Sequence, residues 1–299
     1  MSFDGIVVRK SKTGSSLASI IAEYAPNTGV NETPLSGLFC NRVDQPSQWS
    51  HVVYEPSLCV VAQGNKEATI GTCRFHYNPQ QYLLLTLALP LEARVLTASL
   101  DEPFLSLTLH LNTAMVCELV TEMVSYSQDM QSYSRTSSLE QTAAIQVSGM
   151  SETLEGCLLR LLQCLRNNME RHVVAPLLIR EIHYRLLLGD QAHLLRALAM
   201  RDSNTVKAQK VVRFLERHYT EALDVAQIAA GTNMSVSSLH HCFKNATTIT
   251  PMQYLKRLRL HRARQLLSSD LSAAGSAAYA VGYNSAAQFS RDFKLQFGV

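Results

Sequence analysis

The hydrophobic pattern of the chain changes near residue 112, and the change separates two kinds of predicted structure. Between residues 37 and 112, short runs rich in β-branched, aromatic and leucine residues are broken by prolines and glycines. Many short strands at this spacing are typical of a β-barrel or sandwich. Beyond residue 112, apolar residues recur at helical spacing. Helices are predicted at residues 17–24, 114–123, 151–168 and 177–188, with a polar loop at 125–138.

The last third of the chain is helical and repeats one pattern. LDVAQIAAGTNMSVSSLHHCFK contains Asp224 as a helix N-cap candidate, Gly231 as the turn and Ser235 as the next cap. Gln227 follows Asp224 at capping-box spacing. LSAAGSAAYAVGYNSAAQFSRDFK repeats the arrangement, and its corresponding cap, turn and second cap are Ser272, Gly282 and Ser285. The repetition predicts two helix–turn–helix motifs.

A longer helix, predicted at residues 251–267, joins the two motifs, and an amphipathic helix at 206–219 precedes them. Pro251 stands in the first turn, where proline is favoured. Arg257, His261 and Arg264 fall on one side of the joining helix. This stripe is predicted to face DNA phosphates, and a merely solvated face is the alternative.

Charge is divided unevenly along the chain. Residues 201–299 carry 13 Lys and Arg against 6 Asp and Glu, whereas residues 1–200 carry 14 against 18, within a net charge of +3. A basic module joined to a mildly acidic one is expected for a nucleic-acid reader with a sensor. The polar run at residues 201–204 marks the predicted boundary.

The C-terminal blocks, together with TPMQYLKRLRLHRARQLL, are similar to the DNA-binding domain of the AraC family of bacterial transcription regulators. YEPSLCVVAQGNKEATIG, YNPQQYLLLTLALP and DEPFLSLTLHL resemble the N-terminal domain of one branch of that family. Two features depart from the family pattern. Gly275 and Ser276 should weaken the first helix of the second motif. The chain also stops at Val299, without the short tail usual in relatives.

The resemblance implies an α+β protein of two domains. Residues 1–200 would form the effector-sensing and dimerisation domain, with a cupin-like β-barrel at about 35–112 and helices at about 113–200. Residues 201–299 would form the all-α DNA-binding domain. The implied function is sequence-specific regulation of transcription, as an activator, controlled by a small molecule bound in the barrel. The implied partners are a double-stranded DNA operator, RNA polymerase, an unidentified effector and a possible second copy of the chain.

The DNA contacts follow from which residues anchor each second helix. Leu239 and Phe243 in one motif, and Phe289 and Phe293 in the other, must face inward. The predicted base-reading residues are Ser237, His240, His241, Gln288 and Arg291, and the predicted phosphate contacts are Lys244, Arg257, Arg264 and Lys294. Arg291 can donate two hydrogen bonds to guanine. Gln288 has a capping role with Ser285 as its alternative.

The N-terminal domain offers candidate effector and dimer residues. The predicted effector pocket comprises Tyr54, Cys59, His76, Tyr77 and Tyr82. Core packing is the alternative for the tyrosines. The apolar stripe predicted to join two subunits, or to pack within one chain, comprises Leu158, Leu162 and Leu165.

Two other functions remain open at this point. A cupin-type metal enzyme would need an H-x-H pair, whereas His51, His76 and His110 are isolated, so no metal or other cofactor is predicted. A redox or electrophile sensor could use Cys59 or Cys73. The chain has 7 cysteines without a C-x-x-C pair, which favours reduced thiols in the cytoplasm. Neither a signal peptide nor a membrane span is predicted.

Overall fold

The computed structural model describes residues 16–126, 144–200, 203–269 and 274–298. Strands fill the first half of the chain. They are β1 Gly29–Glu32, β2 Leu38–Val43, β3 Ser50–Tyr54, β4 Ser57–Gln63, β5 Asn65–Ile70, β6 Cys73–Tyr77, β7 Gln81–Leu85, β8 Leu89–Thr97, β9 Phe104–His110 and β10 Ile145–Gly149. The runs predicted as strands from the hydrophobic pattern are confirmed in β3 to β7 and in β9.

Helices flank the strands and form the C-terminal part. The N-terminal helices are α1 Ser16–Tyr24, α2 Thr113–Tyr126, α3 Glu152–Cys164, α4 Asn168–Val173, α5 Ala175–Leu188 and α6 Ala192–Ala199. The C-terminal helices are α7 Asn204–His218, α8 Val225–Gly231, α9 Val236–Thr247, α10 Pro251–Ser269, α11 Ala274–Ala280 and α12 Ala286–Phe297. We call α10 the connector helix, and α9 and α12 the first and second recognition helices. In the parts of the chain described here, no helix is long and apolar enough to cross a membrane.

Two antiparallel sheets form the N-terminal domain. The first has the strand order β1-β2-β9-β4-β7-β10, and the second has the order β3-β8-β5-β6. Alternate side chains of both sheets, such as Val61 and Leu83 from one and Ile70 and Leu91 from the other, belong to one buried cluster. The sheets therefore pack face to face, and their facing sides enclose the interior of the domain.

The outer face of the first sheet is covered by helices. Leu58, Val60, Leu84 and Leu107 point away from the interior and pack against residues of α1, α3, α5 and α6. Because both faces of this sheet are buried, its strands read as continuous apolar runs rather than as alternating ones. This explains LCVVA and YLLLT in the sequence.

The first helix–turn–helix motif has the capping predicted for it, but its turn is built differently. Asp224 and Gln227 form a reciprocal capping box at the start of α8, and Ser235 caps α9. The left-handed residue of the turn is Asn233, with φ 57°. Gly231 is needed for space instead, since a Cβ there would lie 2.3 Å from the ring of Phe214. Gly231 was predicted to supply the turn, and this was wrong because Asn233 is the left-handed residue there.

The second motif follows its predicted layout where it is described. Gly282 turns the chain with φ 87°, and a Cβ there would lie 2.6 Å from the Thr220 carbonyl. Ser285 accepts a hydrogen bond from the Gln288 N–H at the start of α12. The predicted cap Ser272, the linker residues Arg201 and Asp202, and most of the predicted loop 125–138 lie outside the described residues.

Candidate nucleic-acid interface and effector site

The first recognition helix presents its polar side to the surface. Leu239 and Phe243 are fully buried, as the spacing predicted. Ser237, His240, His241 and Lys244 are exposed on the opposite side. The helix can therefore offer two imidazoles, a hydroxyl and an ammonium to a groove of DNA without losing its packing.

The second recognition helix repeats this division. Phe289 is buried at 2% exposure and packs on Tyr283. Gln288, Arg291 and Lys294 are exposed. Gln288 takes part in the cap through its backbone N–H, which donates to Ser285. Its side chain lies on the same exposed side as Arg291, where base contact and capping remain alternatives.

The connector helix holds the two motifs together through charged groups. Lys256 pairs with Asp292 of the second recognition helix at 2.6 Å. Arg259 donates hydrogen bonds of 2.7 and 2.6 Å to the carbonyls of Tyr219 and Glu221, at the end of α7. The motifs are thus fixed relative to each other, as simultaneous docking in successive grooves would require.

The basic stripe of the connector helix is only partly open in this conformation: Arg264 is exposed, whereas Arg257 and His261 are half-buried. Arg257 donates to the Pro90 carbonyl at 3.4 Å, and His261 accepts from the Val53 N–H at 3.3 Å. The Arg264 guanidinium lies 5.0 Å from the ring centre of Phe297. The helical spacing placed these residues on one face correctly, but the N-terminal sheets cover much of that face. Phosphate contact by Arg257 requires this contact to open.

A polar cluster lies between the two N-terminal sheets. It contains three of the predicted effector residues, Tyr54, Cys59 and Tyr77, together with Lys66, which the sequence reasoning missed. The Lys66 ammonium lies 5.5 Å from the ring centre of Tyr54 and 5.7 Å from that of Phe104. Lys66 is in phase with Ala68 and Ile70 along β5, an alternation that could have predicted its inward direction.

The side-chain amine of Lys66 has no carboxylate partner among the described residues. Burial acts to lower the pKa of Lys66, but the Tyr54 phenol and the Cys59 thiol outweigh it and raise that pKa above its usual value. Lys66 is embedded between the sheets and still retains accessible surface. The nearby Tyr77 hydroxyl is buried and makes no hydrogen bond. Burying an amine without a counter-ion and a hydroxyl without a hydrogen bond is costly, so this cluster is the best-supported ligand site in the domain.

Two predicted effector residues lie elsewhere. His76 is exposed on the outer side of β6, because neighbouring residues of a strand point to opposite faces and Tyr77 points inward. Tyr82 lies on the helix-covered face of β7, in the cluster of Leu58 and Leu84. Burial raises the pKa of Tyr82, and Ser148 and Asp190 lie nearby. The assignments of His76 and Tyr82 to the pocket were therefore wrong.

The predicted dimer residues are internal. Leu158, Leu162 and Leu165 are 0%, 0% and 3% exposed and belong to the core between α3 and the first sheet. Their spacing indicated a buried face correctly, and the structure selects packing within the chain. An exposed apolar stripe lies instead on α4 and α5, which we call the α5 stripe. It comprises Met169, Val173, Leu177, Tyr184 and Leu188.

The residues considered for other chemistry do not converge. His51 lies at the contact with α12, His76 is exposed on β6, and His110 lies beside Phe39. Among the described residues no group of three His, Cys, Asp or Glu side chains could hold a metal ion. Burial raises the pKa of the Cys59 thiol, which disfavours the reactive thiolate. Cys73 is half-buried at the start of β6.

Two family models match the chain. Residues 34–194 match the N-terminus of AraC-type transcriptional regulators, and residues 228–299 match a helix–turn–helix domain. The first match alone covers more than half of the 299 residues. The chain belongs to the AraC-type transcriptional regulators.

Curated relatives include the HTH-type transcriptional activator RhaS of two bacteria. The protein of Enterobacter sp. strain 638 is 30% identical over 132 residues, which are 44% of this chain and 45% of that protein. The protein of Escherichia fergusonii is 35% identical over 98 residues, which are 32% of this chain and 35% of that protein. The matched stretches span less than half the length of these relatives.

Solved structures of ToxT from Vibrio cholerae share the fold over most of the chain. A form with a bound unsaturated fatty acid has a TM-score of 0.57 at 11% identity, covering 90% of this chain and 94% of that one. A form bound to (E)-4-(8-methylnaphthalen-1-yl)but-3-enoic acid has a TM-score of 0.58 at 11% identity, covering 88% and 96%. The two-domain fold predicted from the sequence is confirmed.

Proposed function

We propose that this chain is a sequence-specific DNA-binding regulator of transcription, an activator whose DNA binding is controlled by a small molecule. The observation that carries the DNA-binding proposal is the shared design of the two recognition helices. Each buries its aromatic anchor and exposes polar side chains that can reach base edges, His240 and His241 in the first and Arg291 in the second. Lys244 and Lys294 are placed to contact phosphates beside them.

We assign the base-reading role to Ser237, His240, His241, Gln288 and Arg291. Arg291 is the strongest of these because a guanidinium can donate two hydrogen bonds to O6 and N7 of guanine. The RhaS relatives carry the description of transcriptional activators, which supports activation through RNA polymerase. Such a function places the protein in the cytoplasm and needs no catalytic activity of its own.

We place the effector between the two N-terminal sheets, at the cluster of Tyr54, Cys59, Lys66 and Tyr77. An ammonium without a carboxylate partner, beside an unsatisfied hydroxyl, favours a ligand with an anionic group, while the surrounding Val61, Leu83 and Ile70 favour an apolar body. The carboxylic acids bound to ToxT are consistent with such a ligand. The single ammonium of Lys66 favours a ligand with a single negative charge.

The proposed second copy of the chain would pack on the α5 stripe. Val173 at the end of α4, and Leu177 and Leu188 on α5, are more than half exposed, at 58%, 64% and 54%. Burying such residues between two copies would remove apolar surface from water. Residues 1–200 would then sense and dimerise, and residues 201–299 would read DNA.

Selection of random double-stranded DNA by the full chain tests the DNA-binding proposal. We expect enrichment of a motif with two short conserved blocks about one helical turn apart. Arg291→Ala should lose information in one block alone. Enrichment of no motif from the random pool, by a wild-type chain of normal circular dichroism, would contradict sequence-specific binding.

Thermal stability in the presence of paired compounds tests the effector proposal. Aliphatic carboxylic acids and alcohols of equal chain length differ in charge and little in apolar surface. We expect the acids, and not the alcohols, to raise the melting temperature of the wild-type chain. Lys66→Met should abolish the difference between them. Equal effects of acids and alcohols on the wild type would contradict the anionic assignment.

A further inference from the structure

The end of the second recognition helix is fastened to the second N-terminal sheet. His51 on β3 donates from Nε2 to the backbone carbonyl of Gln296. Its ring packs edge-on against Phe297, with 5.1 Å between ring centres. The Arg264 guanidinium also lies over the Phe297 ring, 5.0 Å from its centre. A helix proposed to read DNA is therefore held at its last turn by the sensor.

A second histidine fastens the connector helix to the same strand. The Val53 N–H donates to Nε2 of His261 at 3.3 Å. A backbone N–H can only donate, so Nε2 of His261 must carry a lone pair. This hydrogen bond exists only while His261 is neutral. Protonation would place an N–H of His261 against the N–H of Val53.

The charged groups around both imidazoles are mostly cationic. From the connector helix, Arg257 and Arg264 act on His51, and Arg262 and Arg264 act on His261. From β8, Glu92 lies 3.8 Å from Nδ1 of His51, where it favours the protonated form. From α12, the groups that line the contact are Gln296 and Phe297, which are uncharged.

Burial and the cationic groups lower the pKa of the imidazoles more than Glu92 raises it. Burial, followed by Arg264 and Arg257, lowers the pKa of His51 to about 4. Burial and Arg262, with smaller contributions from Arg264 and His51, also lower the pKa of His261, and they outweigh a hydrogen bond with the His51 backbone that favours its protonated form. Glu92 is a third exposed, so water screens its attraction. Nδ1 of His51 is buried and makes no hydrogen bond, which leaves a proton arriving there without a close acceptor.

We propose that His51 and His261 form an acid-released latch, which holds the connector helix and the second recognition helix against the sensor sheet while both imidazoles are neutral. The latch regulates this contact independently of the effector site. When it opens, Arg257 leaves the Pro90 carbonyl and becomes available to phosphates. The test of the latch requires neither DNA nor effector, so it is independent of the proposed function.

The sign of the pH dependence follows from the lowered pKa values. A histidine released from the contact returns to a pKa of about 6.5, whereas His51 in the closed latch has a pKa of about 4. The closed state is therefore favoured fully above pH 6.5. It is disfavoured by about tenfold per pH unit for His51 as the pH falls from about 6.5 toward 4. His261 adds to this in the same direction.

The single tryptophan of the chain, Trp49, reports on the latch without labelling. Trp49 lines a 660 Å³ cleft with His51, Arg264, Leu295 and Phe297. Opening the latch changes the surroundings of its indole. We expect the Trp49 emission of the wild-type full chain to shift between pH 7.5 and 5, reversibly, while far-UV circular dichroism stays constant.

Two variants and one control separate the latch from general acid sensitivity. His51→Gln and His261→Gln each keep a group that can bond the facing backbone but do not titrate in this range. The double variant should show no Trp49 transition above pH 5, and each single variant a smaller one. The control His76→Gln removes an exposed histidine from the outer side of β6 and should behave as wild type.

The proposal is overturned by any of three results. One is a wild-type emission that stays constant from pH 7.5 to 5. A second is a double variant that keeps the wild-type transition. The third is a transition that coincides with loss of helical circular dichroism, because that reports unfolding of a domain rather than separation of two folded ones.

Discussion

The phenol of Tyr254 on the connector helix donates a 3.2 Å hydrogen bond to the backbone carbonyl of Ala88, at the buried contact between the two domains. Tyr254 is 0% exposed, and its ring packs edge-on against Phe243 of the first recognition helix. Close by, the Ala144 N–H donates to the Ala246 carbonyl at 2.8 Å. The N-terminal domain and the first helix–turn–helix motif therefore share one apolar core and do not meet through a hydrated polar surface.

Removing the Tyr254 hydroxyl should weaken this shared core. Tyr254→Phe leaves the Ala88 carbonyl buried and without its donor, a loss of about 1–3 kcal/mol. We expect a lower melting temperature for the full chain by calorimetry. Tyr279→Phe is the matched control, since Tyr279 is 61% exposed and should have no effect. Equal melting temperatures for Tyr254→Phe and wild type would show that the contact does not contribute to stability.

Arg291 and Lys294 should differ in how they bind DNA. Arg291→Ala should cost about 1–3 kcal/mol at one base pair of the selected site and little on other sequences. Lys294→Ala should weaken all sequences alike and reduce the salt slope by about one. Fluorescence anisotropy on selected and scrambled duplexes measures both effects. The control Arg171→Ala removes a half-exposed charge from α4, outside both recognition helices. Equal losses on both duplexes for Arg291→Ala would remove its base-reading role.

The two motifs should protect two short DNA segments about ten base pairs apart. The 2.6 Å contact of Lys256 with Asp292 fixes the second motif to the connector helix. Breaking it with Asp292→Asn should weaken protection of one segment by about two- to fivefold, as expected for an ion pair worth about 0.5–1 kcal/mol. Hydroxyl-radical footprinting gives the occupancy of each segment. A parallel loss in both segments would mean that the motifs do not dock separately.

Neutralising Lys66 and neutralising its neighbour Glu67 on β5 should change the stability of the chain in opposite directions. Lys66 points between the sheets without a carboxylate, so Lys66→Met should keep or raise the melting temperature. Glu67 points outward, is 6% exposed, and pairs with Arg94 at 2.7 Å and Arg74 at 3.3 Å. Glu67→Gln leaves both guanidinium groups unpaired. It should cost less than the about 3–5 kcal/mol of a fully buried pair, because Arg74 is mostly exposed. A lower stability for Lys66→Met than for Glu67→Gln would contradict these roles.

Stability and association should separate along the N-terminal helices. Leu158 is fully buried, and Leu158→Ala should cost about 2–5 kcal/mol. Leu177 is 64% exposed in the α5 stripe, so Leu177→Glu should change intrinsic stability by about 0.5 kcal/mol at most. Analytical ultracentrifugation should show a smaller mass for Leu177→Glu than for the control Leu100→Glu, which is 73% exposed elsewhere. Equal masses would remove the α5 stripe as a dimer surface.

The sequence predicted most helices and strands well, because the residues that determine them are close together in the chain. The Asp224 capping box and the Ser285 cap depend on residues three positions apart, and the strands β3 to β7 and β9 depend on short apolar runs. Strand β10 was not predicted. Its residues Ile145–Gly149 acquire strand structure by pairing with Gln81–Leu85, a partner more than sixty positions away that no local pattern reveals.

Surfaces that become buried against distant parts of the chain were the main source of error. The helical period placed Arg257, His261 and Arg264 on one face correctly. It could not show that β3 and β8 cover this face. The leucines of α3 were predicted to be buried, but the same pattern fits a partner within the chain or outside it. Lys66 was missed because it stands next to Glu67 on β5. The two charged side chains point to opposite faces of the strand, and their charge alone does not show which of them points inward.

In the proposed function, the connector helix is a lever between the N-terminal domain and the DNA contact of the second motif. Its nineteen residues span about 28 Å at 1.5 Å per residue. With the latch open, the N-terminal domain still holds the first half of the connector helix through Tyr254, while the second motif packs around Leu260 and Ala263 in the other half. A tilt of about ten degrees at the held end would move the other end by about 5 Å, more than the 3.4 Å step between base pairs. A small displacement in the sensor is enough to bring the second motif into or out of register with its half-site.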